Sequence, residues 1–178
     1  MRIRYRFRQF WRALSIKEVH PDLETALAIL TPAQKVLFSQ MQPGEQRHAA
    51  MVYQRLRDHG ENQPDLLVAA LLHDVGKLRY RMHPLERAMV VLAKASLPKL
   101  ARNWGRLPSS GWVELPAWRK AFILAENHAM WGADLARQAG VSPLAESLIR
   151  FHDQPHTQAV DELQTSLLHK LWLVDNES

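Results

Sequence analysis

The chain has 178 residues, 47% of them hydrophobic, a formal net charge of +5 and no cysteine. That apolar content is enough for the core of one domain, and the missing thiols exclude disulfide cross-links and thiolate zinc sites. No apolar run approaches the ~20 residues that span a bilayer, and the arginine-studded start lacks the unbroken apolar stretch of a signal peptide, so a soluble, cytoplasmic protein is expected.

The first twelve residues carry Arg2, Arg4, Arg6, Arg8 and Arg12 with no acid. Strict alternation would put the four early arginines on one face of a strand. Arginine interleaved with Phe7, Phe10 and Trp11 suits contact with nucleic acid or an anionic membrane surface. The reading adopted is a basic tail whose Phe10 and Trp11 dock on the domain.

Beyond this segment the chain reads as helix after helix. Apolar spacing and cap signals predict helices over 22–30, 32–41, 45–59, 64–72, 84–100, 118–126, 132–139, 143–151 and 161–174. Gly60 and Gly140 stand where C-terminal caps belong, and Ser142-Pro143 marks a helix start. No alternating pattern with a hairpin turn appears and no internal repeat is visible, so the fold class is an all-α, single-domain helical bundle. Residues 1–43 are read as the basic segment with leading helices packed on a core formed by 44–178. Residues 105–116 form the one long loop, a lid carrying Trp112 or a mere tether.

Within this frame, Leu71-Leu72-His73-Asp74-Val75-Gly76-Lys77 ends an apolar stretch with adjacent imidazole and carboxylate, groups costly to bury unpaired. A divalent first-row metal satisfies both, and Lys77, one turn after His73, adds a charge suited to phosphate. The competing reading is a helix end stopped by Gly76, with His73-Asp74 facing water. Further ligand types sit beside apolar helical residues. His48 shares a face with Met51, Val52 and Arg55, and Asp175 follows Leu168 and Leu171 by seven and four residues. His152 continues the Leu144 and Leu148 face. His128 follows Phe122-Ile123-Leu124-Ala125 and is expected at a turn into the next helix. Between Lys77 and Arg106, eight basic residues face the single acid Glu86, a zone able to steer an anion or to serve as a solvated helix face.

The ordered set His48, His73-Asp74 and Asp175 resembles the signature of the HD-domain metal-dependent phosphohydrolases, over roughly residues 44–178. The resemblance implies an all-α HD-type fold and a divalent metal held by His48, His73, Asp74 and Asp175. His128 and His152 would supply a second metal bridged by Asp74, as in two-metal members of the family. His152-Asp153 lacks the following Gly-Lys, so Asp153 is read as a supporting or solvated acid. Mixed imidazole and carboxylate ligands with open positions suit iron, manganese or a similar metal, with Mg, Co, Ni and Zn also open. The activity implied is hydrolysis of a phosphate ester or anhydride by metal-activated water, with Asp74 and Lys77 catalytic and Lys77, Arg79 and Arg81 binding substrate. The partner is then a phosphorylated small molecule, a nucleotide or dinucleotide. Two alternatives stay open: a non-catalytic module that keeps the fold for ligand binding or scaffolding, and a nucleic-acid-binding protein.

Overall fold

A computed structural model describes residues 23–109, 111–154 and 161–177. The arginine-rich segment 1–12, with its strand reading, lies outside them. The described residues contain helices and turns and no strand: α1 (Leu23–Leu27), α2 (Pro32–Ser39), α3 (Pro43–Asp58), α4 (Pro64–Leu72), a 3-10 turn (Val75–Arg79), α5 (Pro84–Ser96), α6 (Pro98–Trp104), α7 (Ala117–Gln138), α8 (Pro143–Phe151) and α9 (Glu162–Glu177). None of these helices is long and apolar enough to cross a membrane.

Proline starts most of these helices. In α2, α3, α4, α5, α6 and α8 it occupies the first turn, where a missing N–H costs nothing and the fixed φ is already helical. Side chains cap several of the same ends. Thr31 and Gln34 form a reciprocal box, the Gln63 side chain accepts from Leu66 N at 2.6 Å, and Ser142 Oγ accepts from Ala145 N at 3.0 Å.

Two of the predicted boundaries are corrected. The stretch 84–100 is not one helix: Leu97 takes φ −134° and ψ 57° and separates α5 from α6. Pro98 causes this, because its ring drives the preceding residue out of helical space. Conversely, 118–126 and 132–139 belong to one helix, α7, so His128 lies mid-helix and not at a turn. Asn127 does not end the helix; its Nδ2 donates back to Ile123 O at 2.7 Å. Gly132 is there for close packing, since a Cβ would stand 3.1 Å from Gly76 N and 3.5 Å from Ile149 Cγ2.

The chain divides into two compact units. The smaller comprises described residues Arg79–His128; the larger takes those up to Leu78 and from Ala129 onward. In the larger unit α3, α4, α8 and α9 pack around one core, with Leu56, Leu66, Leu71, Leu72, Leu148 and Leu168 fully buried. Each such leucine stabilises the unit by about 1.5–3 kcal/mol through burial. Ala26, Leu37 and Phe38 of the leading helices, with Leu30 between them, join the same cluster. α4 and α8 are tied at their starts, where Ser142 Oγ donates to Asp65 Oδ1 at 2.5 Å. Arg150 then fastens α8 to α7 by donating to Asp134 at 2.9 Å, while it also donates to Glu146 one turn back on its own helix at 2.9 Å.

In the smaller unit, Val90, Ala101, Ala121 and Phe122 form the core, with Tyr80, Met89 and Trp104 packed on it. Tyr80 Oη donates to Glu86 Oε1 at 2.7 Å. Trp112, on the long loop, meets the Tyr80 ring at a centroid distance of 6.2 Å.

Candidate metal centre

The C-terminal ends of α4 and α8 deliver two imidazoles side by side. His73 and His152 are the respective C-cap residues, 1% and 2% exposed, with ring centroids 5.0 Å apart. Each is oriented in the same way. Nδ1–H of His73 donates to Ala70 O at 2.9 Å, and Nδ1–H of His152 to Ile149 O at 2.8 Å. A histidine so held presents Nε2 away from its own helix, the arrangement by which backbone carbonyls orient metal-binding imidazoles.

Around His73 Nε2 stand two carboxylates. Asp74 Oδ2 and Asp175 Oδ1 are each 3.4 Å from it, yet Nε2 is buried without a hydrogen-bond partner. Asp175 reaches the site because α9 continues through Glu177, past the predicted end at 174. From α3, His48 Nε2 bonds Asp175 Oδ1 at 2.8 Å and lies 4.0 Å from Asp74 Oδ2. Its ring centroid is 5.3 Å from that of His73.

Electrostatics agree with this geometry. Burial opposes a charge on His73, but the carboxylates of Asp74 and Asp175 outweigh it and raise its pKa well above the usual imidazole range. Burial likewise opposes the charge of Asp175, and His73 with His48 hold its pKa well below the ordinary carboxylate value. His152 is pushed the other way, by burial first and then by His73. The field that draws a proton to His73 Nε2 would draw any cation there.

His48, His73 and Asp74 each offer one ligand atom within 4.8 Å of the others, as do His73, His152 and Asp175, so either trio could hold a metal ion. The donor set fits a divalent metal: imidazole nitrogens, carboxylate oxygens and a buried ring nitrogen with no hydrogen bond.

Asp74 is fixed by Lys77. The lysine Nζ lies 2.5 Å from Asp74 Oδ2 and 3.2 Å from Glu45 Oε2. Glu45, with a side chain 6% exposed, went unnoticed in the sequence because an acid in a first helical turn reads as a partner for the helix dipole. Its place three residues before His48, on the same face of α3, was the available signal. Arg79 and Arg81 are exposed and belong to the smaller unit. His128 is half-buried on α7, the last residue of that unit. Asp153 is exposed.

A family model described as HD domain matches residues 46–175. The chain belongs to the HD-domain family. No curated protein and no solved structure matches it. HD-domain proteins bind divalent metals and are in general metal-dependent hydrolases. The matched span contains His48, His73, Asp74, His128, His152 and Asp175, and begins one residue after Glu45.

Proposed function

We propose that this HD-domain protein is a metal-dependent phosphohydrolase that cleaves a phosphate ester or anhydride of a nucleotide or dinucleotide. The observation that carries the reading is His73 Nε2, buried without a hydrogen bond between two carboxylates and flanked by two further imidazoles. His48, His73, Asp74 and Asp175 would hold one divalent metal. Asp74 and His152 with His128 would hold a second; the part of His128 rests on its order in the chain and its place in α7 directly before Ala129. Bound metals supply Lewis-acid polarisation of a phosphoryl oxygen and lower the pKa of water.

The protein's own groups do the rest. His73 and His152 keep their Nε2 atoms forward by donating Nδ1–H to backbone carbonyls. Lys77, held between Glu45 and Asp74, offsets charge that develops on the phosphoryl oxygens. Arg79 and Arg81 supply further positive charge for a phosphate-bearing substrate, a part supported by their exposure and their closeness to Lys77 in the chain. Iron or manganese suits the mixed donor set. The cysteine-free composition supports a cytoplasmic location.

Elemental analysis of the purified protein, with phosphate release measured over a panel of mononucleotides, cyclic dinucleotides and dinucleoside polyphosphates, tests the reading. Stoichiometric divalent metal and chelator-sensitive turnover are expected. A protein that takes up no divalent metal, or that takes it up and hydrolyses none of these compounds, would overturn it.

A further inference from the structure

The smaller unit exposes apolar surface that its own core does not use. On α5, Met89, Val90 and Ala93 face the core. Leu85 and Leu92, one stripe at a spacing of seven, are 75% and 55% exposed. Ala88, Val91 and Ala95, on the same outward side, are only half-buried. A helix apolar on both sides is normally covered by something. Leu97, at the break itself, and Leu100, past it, are also exposed, at 52% and 43%.

Along the sequence, positive charge is interleaved with these side chains. Residues 79–128 hold nine Lys and Arg against three acids. Two of those acids are engaged within the unit: Glu86 accepts from Tyr80 and from His83 N, and Glu126 pairs with Lys94 at 2.9 Å. Lys99 and Arg102 are exposed on one face of α6, and Arg106, exposed as well, follows just past its end.

We propose that this unit docks on an anionic phospholipid surface through Leu85 and Leu92, with Lys99, Arg102 and Arg106 at the headgroups. The chemistry favours this occupant over two others. A second copy in a two-fold contact would bring the same cations against each other. Single-stranded nucleic acid is gripped by aromatic faces on which bases stack, and leucines offer none. Leucines sink to the acyl boundary, while arginine and lysine stems lie along apolar surface with their charges at the phosphates.

Sedimentation of the full chain with vesicles tests this. The protein should bind phosphatidylcholine mixed with phosphatidylglycerol, bind phosphatidylcholine alone far less, and release as salt rises. Leu85→Glu with Leu92→Glu should weaken binding by about tenfold or more, with circular dichroism unchanged because both side chains are exposed. Arg102→Gln with Arg106→Gln should weaken it by roughly fivefold per charge. Failure to bind the anionic vesicles at low salt would overturn the proposal, as would undiminished binding by the leucine variant. The proposal falls equally if that variant loses only self-association, or only binding to a single-stranded oligonucleotide.

Discussion

The ends of α4 and α8 are built alike and finish differently. Each helix has nine residues and a proline at its start, and each closes on His-Asp with the imidazole pinned to the carbonyl three residues back. Yet the side chain of Asp74 is 3% exposed and Asp153 lies in the open. The difference comes from the residues on the C-terminal side of each pair. After Asp74 the chain tightens into the 3-10 turn, Gly76 tucks under Gly132, and Lys77 turns back to its own acid and to Glu45. After Asp153 come Gln154 and Pro155, neither of which carries a charge. A helix end is therefore enough to aim an imidazole, whereas a buried carboxylate also requires a cation and a turn that brings it back.

Changing the two acids separately gives the largest expected contrast. Asp74→Ala, like His73→Ala, should remove bound metal and turnover together, by at least about a hundredfold, since even supporting groups around a metal are worth roughly 10–100-fold. Asp153→Ala should stay within about twofold on both measures, as expected of an exposed acid. Equal losses at both acids, by elemental analysis and initial rates, would erase the distinction.

Lys77→Ala comes next. Metal content should persist while turnover falls by about a hundredfold, the scale of removing one donor to developing charge. Glu45→Gln should produce the same pattern more weakly, about tenfold, because the lysine keeps Asp74. Loss of metal in either variant would make the pair structural.

Gly132→Ala should press on Gly76 N and Ile149 and destabilise the fold by about 1–3 kcal/mol in denaturant. An unchanged midpoint would mean that the turn after Asp74 yields freely.

The smallest effect concerns metal-stripped protein. Because the pKa of Asp175 is depressed, its stabilising contribution is present above the ordinary carboxylate range and is lost as pH falls through the folded value. His73, with its pKa raised, contributes below the ordinary imidazole range and loses this as pH rises through its folded value. Thermal melts should therefore weaken at both ends of the pH scale, and Asp175→Asn should flatten both limbs.

Much of the fold and of this site was legible in the sequence where the chemistry is local. Ser142-Pro143 announces α8 because cap and proline act on adjacent backbone groups. His73-Asp74 announces a site because both are costly to bury at the end of an apolar run. Gly132 is the opposite case: what a glycine does inside α7 shows only when Gly76, which packs against it, is brought alongside. Pro98 did signal the break at Leu97, and the apolar spacing that runs through it obscured the signal. Glu45 became visible only when the turn carried Lys77 back to α3.

The bond from Ser142 to Asp65 has a further consequence, for which changes in chain length are tolerated. It ties the starts of two helices of equal length, so the meeting of His73 and His152 at the other end depends on the residue count between. One residue added to α8 would advance His152 by about 1.5 Å and swing it by about 100° around the helix axis. The same insertion in the loop that joins α7 to α8 would leave that count alone. The larger unit should therefore accept insertions between Gly140 and Ser142 and reject them between Pro143 and Phe151, even at positions where the inserted side chain would face solvent.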